Sequence, residues 1–446
     1  MAGCLARATR RTAMAEPAAT SAAGPGGGGG ARMSRRLRFC MVTTFYPPYG
    51  FGGDAIYVQR LSRELAARGH EVDVVHSIEA YRALGGKAGE RPAVVEEMDG
   101  RLRIHGLRSP AGLLWPLAVQ QTGGPAFRAR TLRALLDRDY DVIHYHNISL
   151  VGGPEVLNYG RAIKLYTMHE YWLVCPTHVL FRDGVEACPE PRCLTCILRQ
   201  KRPPQLWRYT GKLARAARSV DLFLALSRFS LEMHRARGLE GRMEVLPTFV
   251  PRPSEELPPL TEAGAPENAT PPPFFLFAGR LERLKGLHTL IPVFPRNIAA
   301  ELWIAGEGSE SAALRRLAAD HPGVRFLGHV PEPRLSALMR AAVALVMPSL
   351  CYEASPLVVA EAYRQGTPVV ARRLGGMAEA VEDAAGGLLY DKDEECPEAL
   401  RRLLQSPGER RRFGESGRAA YERDLTPEAH LERYFQLIEE AGETRR

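Results

Sequence analysis

From Leu37 onward, short apolar runs alternate with stretches of helical periodicity, and the series occurs twice, on either side of a proline-rich gap. This βαβα order admits few architectures: consecutive strands must pair in parallel, and the connecting helices must cover the sheet faces. RFCMVTT (Arg38 to Thr44) reads as the first strand and YPPYGFGGD as a loop. AIYVQRLSRELAARG then reads as a helix with Val58, Leu61 and Leu65 on one face, capped by Asp54 and stopped at Gly69. EVDVVHS, DVIHYH (Asp141 to His146), AIKLYTM (Ala162 to Met168), DLFLALS (Asp221 to Ser227) and MEVLP (Met243 to Pro247) continue the strands. FFLFAGR, ELWIAG, VRFLG, VALVMPS, PVVAR and GGLLY form the second series. The expected fold class is α/β, with two doubly wound domains that bind ligands at the carboxyl ends of their strands, in the cleft between them.

The expected boundaries follow composition. Residues 1–33 are Ala, Gly and Arg-rich with a five-glycine run, and read as a disordered tail or an over-long translation start ahead of Met33. A transit peptide shares that composition, whereas the apolar core of a secretory signal is lacking. Residues 34–247 form the first domain, 248–272 a proline-rich linker, 273–425 the second domain, and 426–446 a final helix. That helix carries Leu431, Tyr434, Phe435 and Ile438 three or four residues apart, so one side must be buried, and it is expected to cross back onto the first domain. No apolar run approaches the roughly 18 residues that span a bilayer. A cytoplasmic protein is expected, with peripheral contact at the inner membrane face. Lys and Arg exceed Asp and Glu by 59 to 51, a modest basic excess that permits an anionic partner. Only six of the basic residues are lysine, so a lysine at a strand end is worth following.

Chemistry concentrates at such ends. In VALVMPSLCYEASPLVVAEAYRQGTPVVA, Ser355 reads as a helix N-cap with Pro356 at the first helical position and Leu357 after it. The unpaired amides of that helix start make an anion site suited to phosphate. Glu353 and Glu361, eight residues apart, bracket it; Glu361 lies among Leu357, Val358, Val359 and Ala360, and a buried acid needs a partner. FAGRLERLKG places Arg280 and Lys285 at the end of the second domain's first strand, where they can clamp a diphosphate. YGFGGDA puts Gly52 and Gly53 where backbone can approach a phosphate or sugar. His169 follows the strand AIKLYTM at its cleft-facing end, and His144 and His146 alternate on another strand, one expected to pack and the other to line the cleft. LGHVPEP supplies Val330 at a strand exit.

The Glu-x7-Glu pattern, preceded by Met-Pro-Ser and closed by Gly-Thr-Pro-Val-Val, resembles the donor site of retaining glycosyltransferases of the GT-B fold, family 4. The likeness runs from about Leu37 to Ala441. It implies two Rossmann-like domains facing one another. It also implies that Glu361 holds the nucleotide ribose, Glu353 the sugar hydroxyls, Arg280 and Lys285 the diphosphate, and the Val330 backbone the nucleobase. Ser355, Pro356 and Leu357, with Gly52 and Gly53, complete the implied donor site, and His169 stands beside the sugar and the acceptor. The implied catalytic residues are His169, Glu353, Arg280 and Lys285. The implied reaction is retaining transfer of a sugar from a UDP-, GDP- or ADP-linked donor to a hydroxyl of a glycan, a lipid-linked acceptor or a small molecule, with no cofactor for the chemistry. Two alternatives stay open. One is a sugar-nucleotide epimerase of the same architecture. The other is a binding module using a cysteine cluster and the basic segment Arg199 to Arg218, although nucleic acid is not an expected partner. A phosphorylase carrying lysine-bound pyridoxal phosphate is disfavoured by the scarcity of lysine.

Four of the eight cysteines, Cys175, Cys188, Cys193 and Cys196, crowd into CPTHVLFRDGVEACPEPRCLTC. The Cys-x2-Cys pair with two more cysteines upstream has structural-zinc character, although the x12 and x4 spacings are not a standard double Cys-x2-Cys; disulfides and free thiols are the other readings. Four thiolates would leave a metal no open position, so its role would be structural.

Overall fold

Every apolar run named above forms a strand, in a computed structural model that describes residues 35–87, 89, 92–252, 257–258 and 272–445. The expected tail lies outside the described residues, as does most of the expected linker. In the first lobe the strands are β1 (Arg38–Val42), β2 (Glu71–Ser77), β3 (Val94–Glu97), β4 (Leu102–Leu107), β5 (Val142–Tyr145), β6 (Ile163–Met168), β7 (Phe181–Arg182), β8 (Glu186–Ala187), β9 (Leu222–Ala225) and β10 (Met243–Val245). Among the described residues, eight of them pair in the order β10-β9-β6-β5-β1-β2-β4-β3, all parallel except β3, and β7 and β8 form a separate hairpin. Phe39, Cys40, Met41 and Val42 of β1 are wholly buried because helices cover both faces of this central strand, which is why it reads as an unbroken apolar run. The strands β3 and β4 had no such signature: VVEE exposes alternate residues at the sheet edge, and LRIHGL carries Arg103, His105 and Gly106.

The second lobe contributes β11 (Phe274–Ala278), β12 (Glu301–Ala305), β13 (Val324–Gly328), β14 (Ala344–Met347), β15 (Val369–Arg372) and β16 (Gly387–Tyr390), all parallel, in the order β13-β12-β11-β14-β15-β16. Each large sheet therefore has a point where successive connections leave in opposite directions: between β1 and β5 in the first lobe, and between β11 and β14 in the second. Loops at such points diverge and open a crevice. The four loops that matter below are the exits of these four strands.

The last helix, Pro427–Arg445, lies against the first lobe. Tyr434 packs on Phe39 and its hydroxyl pairs with His144 Nδ1 at 2.8 Å, His430 Nε2 meets the Tyr57 hydroxyl at 3.0 Å, and Arg242 ion-pairs with Glu440. A second junction joins the helices Arg228–Ala236 and Gly375–Ala384. The Glu379 carboxylate accepts the backbone N–H groups of Arg228 and Phe229, each at 2.8 Å, and Asp383 holds the Arg228 guanidinium. The stretch after β10 is buried as well: Phe249 and Val250 are fully enclosed, and Val250 N–H donates to the Leu425 carbonyl at 2.9 Å.

Candidate active site

The exits of β11 and β14 lie against one another because Gly286 allows it. Its φ is +78°, and a Cβ there would sit 2.0 Å from the Pro348 carbonyl oxygen. Leu350 N–H donates to the Leu284 carbonyl at 2.8 Å and pins the two loops. Lys285 Nζ thereby reaches Glu353 Oε1 at 2.6 Å, and the Ser349 hydroxyl donates to the same oxygen at 2.9 Å. Burial alone would pull the Lys285 ammonium down; the facing carboxylate outweighs it and leaves the pKa raised. Burial would likewise lift Glu353, and Lys285 with Ser349 brings it below the usual carboxylate value. Both groups are thus held charged. Arg280 is half-exposed, pairs with Glu282 at 2.6 Å, and acts electrostatically on both Lys285 and Glu353.

Four residues beyond Glu353 a helix runs from Leu357 to Arg364. Its N-cap is Pro356 in an extended conformation, and no side chain caps it, contrary to the expectation for Ser355. The reason is that Ser355 Oγ lies 3.2 Å from Thr248 Oγ1 and is occupied by that contact with the segment after β10. With no side-chain cap over this helix start, the Val359 N–H turns back onto the Pro356 carbonyl at 3.0 Å, and the amides ahead of it stay available to an anion. The first-lobe helix Gly53–Ala67 also departs from expectation: Gly52 is its N-cap, while Asp54 sits in the first turn and accepts from Asn147 Nδ2 at 3.4 Å.

These two helices meet across the cleft. A Cβ on Gly53 would lie 3.1 Å from Leu357 Cδ1, and one to two turns further on Arg60 ion-pairs with Glu361 at 2.9 Å. Gly53 and Leu357 are the first residues of their helices, so the two N-termini lie together. Two helix dipoles and two sets of unpaired amides therefore converge where Gly52, Gly53 and Leu357 meet. Glu361 is only 15% exposed, and its partner is Arg60 of the other lobe.

On the first-lobe side, His169 follows β6 and its Nε2 lies 3.0 Å from His146 Nδ1, with the Tyr57 ring edge-on to it at 5.0 Å. Burial lowers the His169 pKa to about 4, with Asp54 opposing, so the ring is neutral at pH 7. The expectation that one of His144 and His146 lines the cleft is corrected: both are wholly buried, at 0% and 1% exposure, because the C-terminal helix covers one and His169 the other. The basic segment Arg199 to Arg218 is not a single helix. It breaks into Cys193–Arg199, a 3-10 turn Leu206–Thr210 and Lys212–Ala217, with Trp207 buried and Arg208 held between the Trp172 and Trp207 rings. Trp207 serves the interior, whereas Tyr209 stays exposed. Val330 is half-buried against the second-lobe core at the exit of β13.

Residues 51–252 match the sequence profile described as Glycosyltransferase Family 4, and residues 261–420 that described as Glycosyl transferases group 1. A D-inositol 3-phosphate glycosyltransferase of Xylanimonas cellulosilytica is 30% identical over 416 residues, covering 86% of this chain and 92% of its own. The chain belongs to glycosyltransferase family 4. A glycogen synthase of Mycobacterium tuberculosis is 29% identical over 374 residues, covering 79% of the transferase and 82% of the relative. Among solved structures, the sucrose-phosphate synthase of Thermosynechococcus elongatus superposes with a TM-score of 0.70 at 22% identity, covering 92% of the transferase and all of that chain. Anabaena HepE, solved with UDP-glucose, superposes at 0.60 with 16% identity, covering 92% of this chain and all of its own. The fold of the transferase is GT-B, as its two facing parallel sheets require.

Of the residues singled out from sequence, the transferase brings Lys285 and Glu353 into direct contact, sets Gly53 on Leu357, and joins Glu361 to the first lobe. Sequence reasoning missed Arg60, Ser349, Asp54 as a cleft residue, and Asn147. Ser349 and Asn147 had a usable signal, since each stands within four residues of the carboxyl end of a switch-point strand. Arg60 had none: 301 residues separate it from Glu361.

Proposed function

We propose that this glycosyltransferase moves a sugar from a nucleotide-sugar donor to an acceptor hydroxyl with retention of anomeric configuration. The observation that carries the reading is the Lys285 to Glu353 pair at 2.6 Å, beside two converging helix N-termini. As the anomeric bond breaks, negative charge grows on the departing diphosphate; Lys285, Arg280 and the amides after Pro356 stabilise it. Glu353, held ionised, accepts hydrogen bonds from the donor sugar, and Glu361 exchanges Arg60 for the ribose hydroxyls or shares itself between them. Glu353 is already committed to Lys285 and Ser349, which disfavours it as a nucleophile. That supports front-face transfer, in which the leaving phosphate takes the acceptor proton. Asp54, Asn147 and neutral His169 line the acceptor side. The printed names of relatives add weight, since HepE and a trehalose-6-phosphate protein of E. coli were solved with UDP-glucose and UDP-2-fluoro-glucose.

The acceptor we favour is lipid-linked. Leu113, Leu114, Leu117, Phe127, Leu206 and Tyr209 are large, exposed and carried by short elements that pack together on the first lobe. An exposed apolar group of this kind, with Arg130, Arg215 and Arg218 exposed nearby in the chain, suits an anionic bilayer surface. The chain has no described helix long and apolar enough to cross a membrane. The test of function is a thermal-shift screen of UDP-, GDP- and ADP-sugars, followed by NMR of the product anomer. One donor raising the melting temperature, with the donor's anomeric configuration kept, is expected; an inverted product would overturn the mechanism.

A further inference from the structure

The four clustered cysteines take no part in the chemistry above, and the structure gathers them. Cys175, Cys188, Cys193 and Cys196 all line one cavity of about 20 Å³, room for a single atom-sized guest. They come from three short pieces: the turn Cys175 to His178, the residue following the β7–β8 hairpin, and the first turn of the helix Cys193–Arg199, where positions three apart share a face. All four thiols are free. Two hydrogen-bond donors already point at one sulfur, the Asp183 backbone N–H and the Gln200 amide, each 3.3 Å from Cys196 Sγ.

The charges around the cavity ask for an anion. Arg182, Arg192 and Arg237 line it, and Arg208 is held nearby between two indole rings. Arg182 has Glu186, but among the described residues no carboxylate pairs with Arg237 or Arg208, and the buried Nε of one and Nη2 of the other lack any partner. Enclosed guanidinium groups without a counter-charge are costly. Four thiolates around one divalent ion carry a net charge of minus two and supply it. A closed set of four soft sulfur donors suits a tetrahedral zinc ion, with iron the competing metal.

We propose that Cys175, Cys188, Cys193 and Cys196 bind one structural zinc ion, which ties the segment after His169 to the second lobe. Among the described residues no three ligating side chains already stand at metal-holding separations, so coordination at about 2.3 Å draws the sulfurs inward from the cavity wall. The tie is mechanical. Cys175 and Cys188 pack with Tyr171, two residues past His169, and with Phe229 and Tyr352. The Tyr352 ring packs on Phe229 at 5.0 Å, tilted by 44°, and Tyr352 is the residue before Glu353. The ion thus braces the contact between the acceptor-side loop and the loop that carries the donor-side carboxylate.

The experiment is metal analysis of the purified full chain, with a cobalt-substituted sample for spectroscopy. About one zinc per chain is expected, with thiolate-to-cobalt charge-transfer bands of tetrahedral geometry in the substituted sample. Zinc should fall to near zero in Cys193→Ser/Cys196→Ser and stay at the wild-type level in Cys40→Ser, whose thiol lies in the sheet core. Metal-free protein with four alkylatable thiols, a mass lighter by two hydrogens per disulfide, or iron in place of zinc would each overturn the proposal. Because the readout is metal content, its failure leaves the transfer reaction standing, and loss of transfer with zinc in place would count against the reaction instead.

Discussion

Lys285 and Glu353 hold one another ionised, and the sign of each shift sets a pH window. Glu353 is depressed below its ordinary 4.5, so its contribution is present above that value and is lost as pH falls through the folded one. Lys285 is raised above its ordinary 10.5, so its contribution is complete below that value and is lost as pH rises through the folded one. The stability difference between the wild type and Lys285→Met/Glu353→Gln should therefore be flat from about pH 5 to about pH 10 and change outside it. Within the window the single variant Lys285→Met should lose about 3–5 kcal/mol in denaturant unfolding, more than the double variant, because it strands a carboxylate. Equal losses would mean that the pair is not coupled. At Glu361 the readout is kinetic: Glu361→Gln weakens charge-assisted hydrogen bonds worth about 1.5–3 kcal/mol, so the donor KM should rise roughly tenfold or more. A change in kcat alone would place Glu361 away from the ribose.

The loop from Arg280 to Gly286 exists to deliver Lys285, and its last residue is the part that cannot be exchanged. Ala at Gly286 must adopt φ near +78° and put its Cβ 2.0 Å from the Pro348 oxygen, so both strain and collision oppose it. Gly286→Ala should cost about 2 kcal/mol or more and displace Lys285, lowering kcat and stability together. Gly238 is the control. Its φ is +84° with nothing within 4 Å of a Cβ, so Gly238→Ala should show only the left-handed cost of about 1–2 kcal/mol and leave kcat unchanged. If the two variants melt alike and turn over alike, the loop-pinning role fails. What was legible in the sequence follows the same logic. Strands enclosed on both faces, such as FFLFA, announce themselves as apolar runs, and the switch-point rule then names the loops that carry Lys285 and Glu353. The edge strand VVEE exposes one side, and its buried neighbour LRIHGL is interrupted by Arg103, His105 and Gly106, so neither carries such a run. Ser355 looked like a cap because Ser before Pro usually is one; Thr248, 107 residues away, takes its hydroxyl, and only tertiary structure reveals that.

At the scale of the whole molecule, the first lobe and the last helix share a core of buried rings. His144 on β5, His146 just after it, His169 after β6, Tyr57 on the first helix, and His430 and Tyr434 on the last form a continuous chain of ring contacts beneath the cleft. His430 Nδ1 lies 2.8 Å from the Pro247 carbonyl and must donate to it, which leaves Nε2 as the acceptor for the Tyr57 hydroxyl; the ring is satisfied when neutral. Burial lowers the pKa of all four histidines, His430 to about 4. The unfolded chain therefore binds protons that the folded chain refuses, and stability that is complete above pH 6.5 declines as pH falls toward 4. His430 alone should account for roughly 2–3 kcal/mol of that decline. Depressed carboxylates such as Glu353 act below about pH 5, so the interval from about pH 6.5 to 5 isolates the histidines. Denaturant midpoints across that interval should fall steadily in the wild type. In His430→Asn the slope should lessen by up to about 1.4 kcal/mol per pH unit, whatever the variant's absolute stability. An identical slope in the variant would show that His430 takes up its proton in the folded state, and that the last helix does not meet the first lobe around a neutral ring.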